Sequence, residues 1–243
     1  MYHRTGTGYK VYQRYGERVV DVAKWVDSTV RRRSAKEALE DDSRRSRVVL
    51  AAVEAIEEAG PTVGMAQIAE RAGLPRPNVY RHFASKDQLD AEVTRFAANE
   101  LLRRVRPNLA RTGTPREVIG GVIAPCVDWA AEHPNLYRFV AAQQQTKALH
   151  RARMGRTRFL NELVEAMHGY LSESELNGEP PDGVLAGLMG MVDASIIWWL
   201  DHEDETRDEV VERLTRQVAG VLFDLLAQLG LEIPEDMVFA PRA

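Results

Sequence analysis

Cysteine is all but missing from this 243-residue chain: Cys126 is the only one. An intrachain disulfide is thereby excluded, as is any Cys-x-x-Cys redox or zinc motif, and the usage fits a reducing compartment. Cys126 falls in an apolar helical pattern and reads as a small core residue rather than a thiol sensor. Long apolar runs are also lacking. No stretch approaches the ~18–20 residues of a membrane span, and Met1-Tyr-His-Arg-Thr-Gly6 has no signal-peptide core, so a cytoplasmic protein with no membrane partner is expected. Equally absent are H-E-x-x-H, G-x-S-x-G and the Walker loop, which removes the commonest routes to metal, acyl-transfer and nucleotide chemistry. No catalytic residue, metal or cofactor is expected. The one acidic run, Asp201-His-Glu-Asp-Glu205 with Asp208 and Glu209, precedes and opens a helical pattern, where acids complement the macrodipole. Lysine is scarce beside arginine, 5 against 27, a bias typical of a GC-rich bacterial genome. No strand pattern, internal repeat or low-complexity tract is found, so the expected fold class is all-α.

What is present is concentrated in residues 66–88. Ile68, Ala69 and Ala72 recur at helical spacing, and Gly73 stands where that helix must end in a left-handed residue. Leu74 plugs the turn, and Val79, Tyr80 and Phe83 give a second short helix its buried side. Ser85-Lys-Asp-Gln88 then has the spacing of a capping box and starts another helix. Two short helices around a tight turn present one face of the second helix outward, the shape that enters a DNA major groove. That face carries Arg76, Asn78, Arg81 and His82, all hydrogen-bond donors. Arg76 and Lys86 each sit in a first helical turn, where the macrodipole disfavours a cation, and beside free backbone N–H groups they form anion sites.

These residues resemble the DNA-binding domain of TetR-type regulators. The pattern is carried by Ile68, Ala69, Ala72, Gly73, Leu74, Val79, Tyr80, His82, Phe83, Ser85, Lys86 and Leu89, within a match from Val48 to about Val93. A weak echo follows at Ile197-Trp-Trp-Leu200. The resemblance implies double-stranded DNA as partner, a palindromic operator, and a homodimer whose recognition helices sit about one turn of duplex (~34–36 Å) or slightly more apart. Arg76 and Asn78 are then the expected base readers, to guanine and adenine, with Pro77 against a thymine methyl. Tyr80, His82 and Lys86 are expected on phosphates, and Arg81 on either. Two departures stand out. Gly64 replaces the usual Ser or Thr cap, leaving only its backbone N–H for a phosphate. Pro75 and Pro77 replace small residues, which a first helical turn tolerates.

Charge agrees with a DNA-facing front. Residues 1–106 carry 20 Lys+Arg against 15 Asp+Glu, whereas residues 107–243 carry 12 against 21. Three segments follow from the pattern: an N-terminal extension over 1–42, the helix-turn-helix domain over 43–88, and a larger helical domain over 89–243 for effector binding and dimerisation. In the extension, residues 1–8 read as disordered. Tyr12, Tyr15, Val19, Val22, Val26 and Val30 suggest an amphipathic helix over about 9–33. Its stripe packs on the body or the partner, or Arg31-Arg-Arg33 reaches DNA; both readings stand. Further helices are expected to about Val105, stopping before Pro107, then over about 114–132, 135–142, 146–171, 183–200 and 205–230.

The last two of these helices are the expected dimer elements. Gly183, Ala186, Gly187, Gly190 and Ala194 keep one side small, and the apolar stripe from Val211 to Leu229 is wider than one neighbour needs. The resemblance further implies a cavity for a lipophilic small-molecule effector, with Trp129, Tyr137, Phe159 and Trp198 as candidate wall residues and Gln143, Gln144, Asn161 or Asp193 as polar anchors. The expected function is a ligand-responsive repressor; the alternative is a helical small-molecule-binding protein or enzyme with a vestigial DNA-binding domain.

Overall fold

The computed structural model describes residues 4–5, 8–9, 12–15, 18–21, 42–146, 153–171 and 182–241. The chain divides into two compact units, Met1–Val48 and Val49–Ala243. In the first unit, β1 (Arg4–Thr5) pairs antiparallel with β2 (Gly8–Tyr9), and β3 (Tyr12–Tyr15) with β4 (Arg18–Asp21), Tyr15 opposite Arg18. Among the described residues these strands replace the helix expected over 9–33 at 12–15 and 18–21, and the disorder expected over 1–8 at 4–5 and 8. Tyr-Gln-Arg-Tyr and Arg-Val-Val-Asp are rich in aromatic and β-branched residues. Gly16-Glu17 between them is also a two-residue connection led by glycine, the composition of a hairpin. Tyr12, Tyr15 and Val19 satisfy helical spacing as well, and the local β preference decides. The expected role of Arg31–Arg33 lies outside the described residues.

The second unit is all-helical among its described residues. A first helix, α1, spans residues 42–59. It is followed by α2 (Met65–Arg71), α3 (Arg76–His82) and α4 (Lys86–Leu109). The body adds α5 (Pro115–Glu132), α6 (Pro134–Thr146), α7 (Arg153–Tyr170), α8 (Asp182–His202) and α9 (Arg207–Gln228). Helices α5 and α9 begin in reciprocal capping boxes. Thr114 and Thr206 each cap the N–H three residues on, while Glu117 and Glu209 reach back to the cap N–H at 2.7 and 2.8 Å. Both reciprocal bonds hold the carboxyls of Glu117 and Glu209 below the usual carboxylate range.

Two boundaries differ from expectation. Helix α4 runs through Pro107 to Leu109, because a proline in a last turn loses only one intrahelical bond and Leu109 has an apolar site to fill. Helix α6 continues to Thr146, so the long helix expected from 146 begins at Arg153 instead. Helix α8 is also apolar and long enough, by composition, to cross a membrane. Scattered Gly and Ser with one Asp interrupt its apolar run, which is why the sequence shows no continuous span. Leu185, Leu188 and Ile196 bury one side of it in the bundle.

Beyond α9 the chain turns back. Gly230 takes φ +80°, Leu231 N–H reaches Leu226 O (2.8 Å) and Gly230 N–H reaches Ala227 O (2.9 Å), a glycine-closed helix end. The following segment packs Leu231 and Ile233 against Met167, Tyr170, Leu171 and Leu226.

Candidate nucleic-acid interface and apolar cavity

Helix α2 ends as glycine at this position allows. Gly73 has φ +64°, with Leu74 N–H on Ala69 O and Gly73 N–H on Glu70 O, both 3.0 Å. This turn sets α3 at a fixed angle to α2. Val63, Met65, Ile68, Ala69, Val79, Phe83 and Leu89 form the core beneath. Arg71 ties α2 to α1 through ion pairs with Glu54 (3.0 Å) and Glu58.

With Val79 and Phe83 buried, α3 must present its other side. Arg76, Pro77, Tyr80 and Arg81 are exposed, Asn78 and His82 half-buried. Asn78 and Arg81 have side chains with no partner among the described residues. Arg76 lies over the Tyr80 ring, 5.6 Å from its centroid, and donates to the Tyr80 hydroxyl at 3.3 Å. A cation and a phenol thus stand together at the rim of the face. Gly64 is exposed at the start of α2, but Gln67 Oε1 accepts its N–H at 3.1 Å, so a phosphate would have to displace that side chain. At the start of α4, Ser85 Oγ accepts Gln88 N–H (3.2 Å), while the Gln88 side chain accepts from Ala84 N–H at 2.7 Å rather than from Ser85.

Lys86 is held differently from its neighbours. Its ammonium pairs with Asp90 one turn on and sits 5.5 Å from the Phe139 ring centroid. Asp90 is 7% exposed and also accepts from Gln143 Nε2 at 3.2 Å. Burial raises its carboxyl above the usual range despite Lys86. Lys86 is therefore a tie between α4 and α6 with 28% of its side chain in solvent, and the exposed donors are those of α3.

A second tie lies at the other end of α6. Asn135 Nδ2 donates to Glu57 O (2.8 Å), Leu136 N–H to Glu57 Oε1 (3.2 Å), and His133 Nδ1 stands 3.5 Å from the same oxygen. The α1 carboxylate thus caps the N-terminus of α6. Burial nonetheless raises the Glu57 carboxyl, outweighing the Leu136 N–H and His133. Neither Glu57 nor Asp90 is singled out by any sequence pattern, since their meaning comes from residues about 80 and 50 positions away.

The body holds a partly open cavity of about 300 Å³ between α4, α5, α6, α7, α8, α9 and the C-terminal segment. Trp129, Tyr137 and Phe159 line it; Trp198 does not. Trp198 is 55% exposed, stacks on His202 at 3.7 Å and donates to Asp204. Helical spacing explains the correction. Leu185, Leu188, Met189, Val192 and Asp193 face the cavity, and Trp198 falls about 150° away from the centre of that stripe at ~100° per residue. Of the expected polar anchors, Asp193 is in the wall and accepts from the Tyr137 hydroxyl at 3.1 Å. Gln143 turns to Asp90 and Asn161 is exposed; the Gln144 side chain lies outside the described residues. Cys126 is also in the wall, where burial pushes its thiol up to about 12, and its Sγ lies 3.3 Å from Val122 O. Such a thiol is no nucleophile.

The acidic run at the α8–α9 junction is largely exposed and pairs with neighbouring side chains of the same chain. Asp201 pairs with Arg138 (2.9 Å), Asp204 accepts from Trp198, and Glu205 pairs with Arg213.

The family model for bacterial regulatory proteins of the tetR family matches residues 48–93, the stretch that holds this outward-facing helix. The helix-turn-helix stretch of this chain is thus of the tetR type. It is 31% identical over 100 residues to the HTH-type transcriptional activator FasR of Mycolicibacterium smegmatis, covering 41% of this chain and 46% of that protein. It is 35% identical over 82 residues to the HTH-type regulator BetI of Brucella anthropi, covering 33% and 42%. The chain thus matches less than half the length of these two curated relatives. Among solved structures, a tetR-family regulator from Streptomyces coelicolor superposes with TM-score 0.61 at 18% identity, over 80% of this chain and 91% of that one. The fatty acid degradation regulator FadR of Bacillus halodurans gives 0.58 at 16%, over 72% and 94%. The fold, with an N-terminal helix-turn-helix domain and a larger helical domain, is that of the TetR family.

Proposed function

We propose that this chain is a homodimeric, ligand-responsive TetR-family repressor of the bacterial cytoplasm, released from a palindromic operator when a lipophilic molecule enters its cavity. The observation that carries the DNA half is the exposed face of α3, where Asn78 and Arg81 keep unpartnered donors while Val79 and Phe83 anchor the helix. Asn78 and Arg76 suit bidentate reading of adenine and guanine, and Pro77 suits a thymine methyl. Tyr80 and His82, with the Gly64 N–H, suit phosphates, and Arg81 suits either. Lys86 is the weaker phosphate candidate because of its commitment to Asp90.

The ligand half rests on a wall that is almost wholly apolar, with Thr94 and Asp193 as its polar residues besides tyrosines. Helix α6 joins the two halves. It lines the cavity with Tyr137, Val140 and Ala141, and it meets α1 through Asn135 and Leu136 and the first turns of α4 through Gln143. A ligand that shifts α6 therefore shifts α1 and α4, provided it binds the shifted state more tightly. For the dimer, α8 supports a second copy of this chain as occupant. Gly183, Gly187, Ala194 and Trp198 form an exposed ridge, and a Cβ at Gly183 or Gly187 would meet nothing.

Binding to the DNA upstream of the chain's own gene, measured by fluorescence anisotropy at several salt concentrations against random duplex, tests the reading. A specific complex tighter than the random one by ~10³ or more is expected. Equal affinity for both duplexes at every salt concentration would sink it.

A further inference from the structure

We infer that the C-terminal segment after α9 is the end wall of the cavity, and that Phe239 and Ile233 set the length of a single-chain lipophile lying along α5. The inference rests on the ligand-binding reading above and names the ligand class.

The shape of the cavity carries the first part. Helix α5 lines it from Pro115 to Trp129, about 21 Å at ~1.5 Å per residue. Its wall on α5 is one face of the helix, Val118, Val122, Cys126 and Trp129 in successive turns, so the cavity is elongated along that helix. An elongated apolar cavity suits a hydrocarbon chain laid along α5.

The ends of the slot differ. At the Trp129 end the Tyr137 ring lies 6.0 Å from the indole, and its hydroxyl meets Asp193. A small polar head belongs there, beside α6. At the Pro115 end the wall is Leu109, Leu171, Leu226, Ile233 and Phe239. Tyr170 turns its hydroxyl out of the slot to Arg111 O at 2.6 Å, so a hydrocarbon terminus meets only carbon.

The segment that closes this end is fastened, not draped. Phe239 exchanges two backbone bonds with Gly113, N–H to O at 3.0 and 2.9 Å. Arg116 pairs with Glu235 at 3.0 Å. The outward residues Met237 and Val238 are 48% and 64% exposed, while Ile233 and Phe239 face the slot. Phe239 is thus a ligand-contacting side chain carried by an element outside the helical bundle.

A ladder of n-alkyl alcohols from octanol to octadecanol, displacing the apolar fluorophore N-phenyl-1-naphthylamine from the full-length protein, reads the chain-length limit. Each added methylene strengthens binding about fourfold while it finds room, and in the unaltered protein the gain stops at one length. In Phe239→Ala the gain continues for two or more further carbons, which is roughly tenfold or more at those lengths. Phe239→Leu gives a smaller shift in the same direction and keeps the fastening intact should the alanine variant unfold. Val238→Ser, on the outer side of the same segment, leaves the limit unchanged. An identical limit in the unaltered protein and both Phe239 variants overturns the end-wall assignment while leaving the ligand reading standing. Failure of the unaltered protein to take up any alcohol or the fluorophore overturns both.

Discussion

Asn78, Lys86 and Glu57 show how far a residue's role depends on what holds it. Asn78 has no partner for its amide among the described residues, so Asn78→Ala should leave the fold unchanged. It should cost ~1–3 kcal/mol on the operator and relax one base position, read by anisotropy across single-base operator variants. Lys86→Ala is a different kind of change. It strips a buried carboxylate, Asp90, of its cation, so its signature is a loss of about 1–3 kcal/mol in folding stability by urea titration. A pure phosphate contact would instead flatten the salt slope at unchanged stability. For Glu57, burial raises the carboxyl above 4.5, so the folded chain holds this proton more tightly than the unfolded one. The stability this gives is fully present below 4.5 and is lost as pH rises through the raised value; Asp90 has the same sign. Glu57→Gln, which keeps an oxygen for the Leu136 N–H, should therefore show a melting temperature that falls less from pH 4.5 to 7 than the unaltered protein's. Parallel profiles would remove burial at Glu57 as the cause.

At the level of elements, what could be read from the sequence follows the range of the forces involved. Gly73 and Ser85 act within five residues of themselves, and the helix ends they predict are found. Residues 12–21 were misread because Tyr and Val spacing there satisfies a helix and a strand together, and only the paired strands decide. Trp198 was misread for a related reason: Trp198 and Trp199 are equally apolar, and the inward side of α8 is fixed by neighbours far away in sequence. The cavity itself is a property of six helices and a tail, which no local pattern encodes. The exposed ridge on α8 carries a prediction of its own. A Cβ at Gly187 meets nothing within the chain, so Gly187→Arg should fold with unchanged helicity. It should run as a monomer in light scattering, whereas an intact dimer would exclude this ridge from the interface.

For the whole molecule, a response to ligand needs a physical route from the cavity to α3. Helix α6 is hydrogen-bonded near its start to α1, by Asn135 and Leu136 to Glu57, and near its end to α4, by Gln143 to Asp90, and Tyr137 between them faces the slot. A polar ligand head arriving at Tyr137 and Asp193 would thus push on an element bonded to both α1 and α4. Gln143→Ala removes one attachment and touches neither the slot wall nor the exposed face of α3. Affinity for operator alone and for an alkyl alcohol alone should each stay within about twofold, while the coupling between them falls by ~0.5–2 kcal/mol. Linkage supplies the internal check: the alcohol's effect on DNA affinity and the DNA's effect on alcohol affinity must shrink by the same factor. If the two effects shrink unequally, the variant has damaged one site; if neither changes, the signal leaves the cavity by another helix, with α4 lining the slot directly as the remaining route.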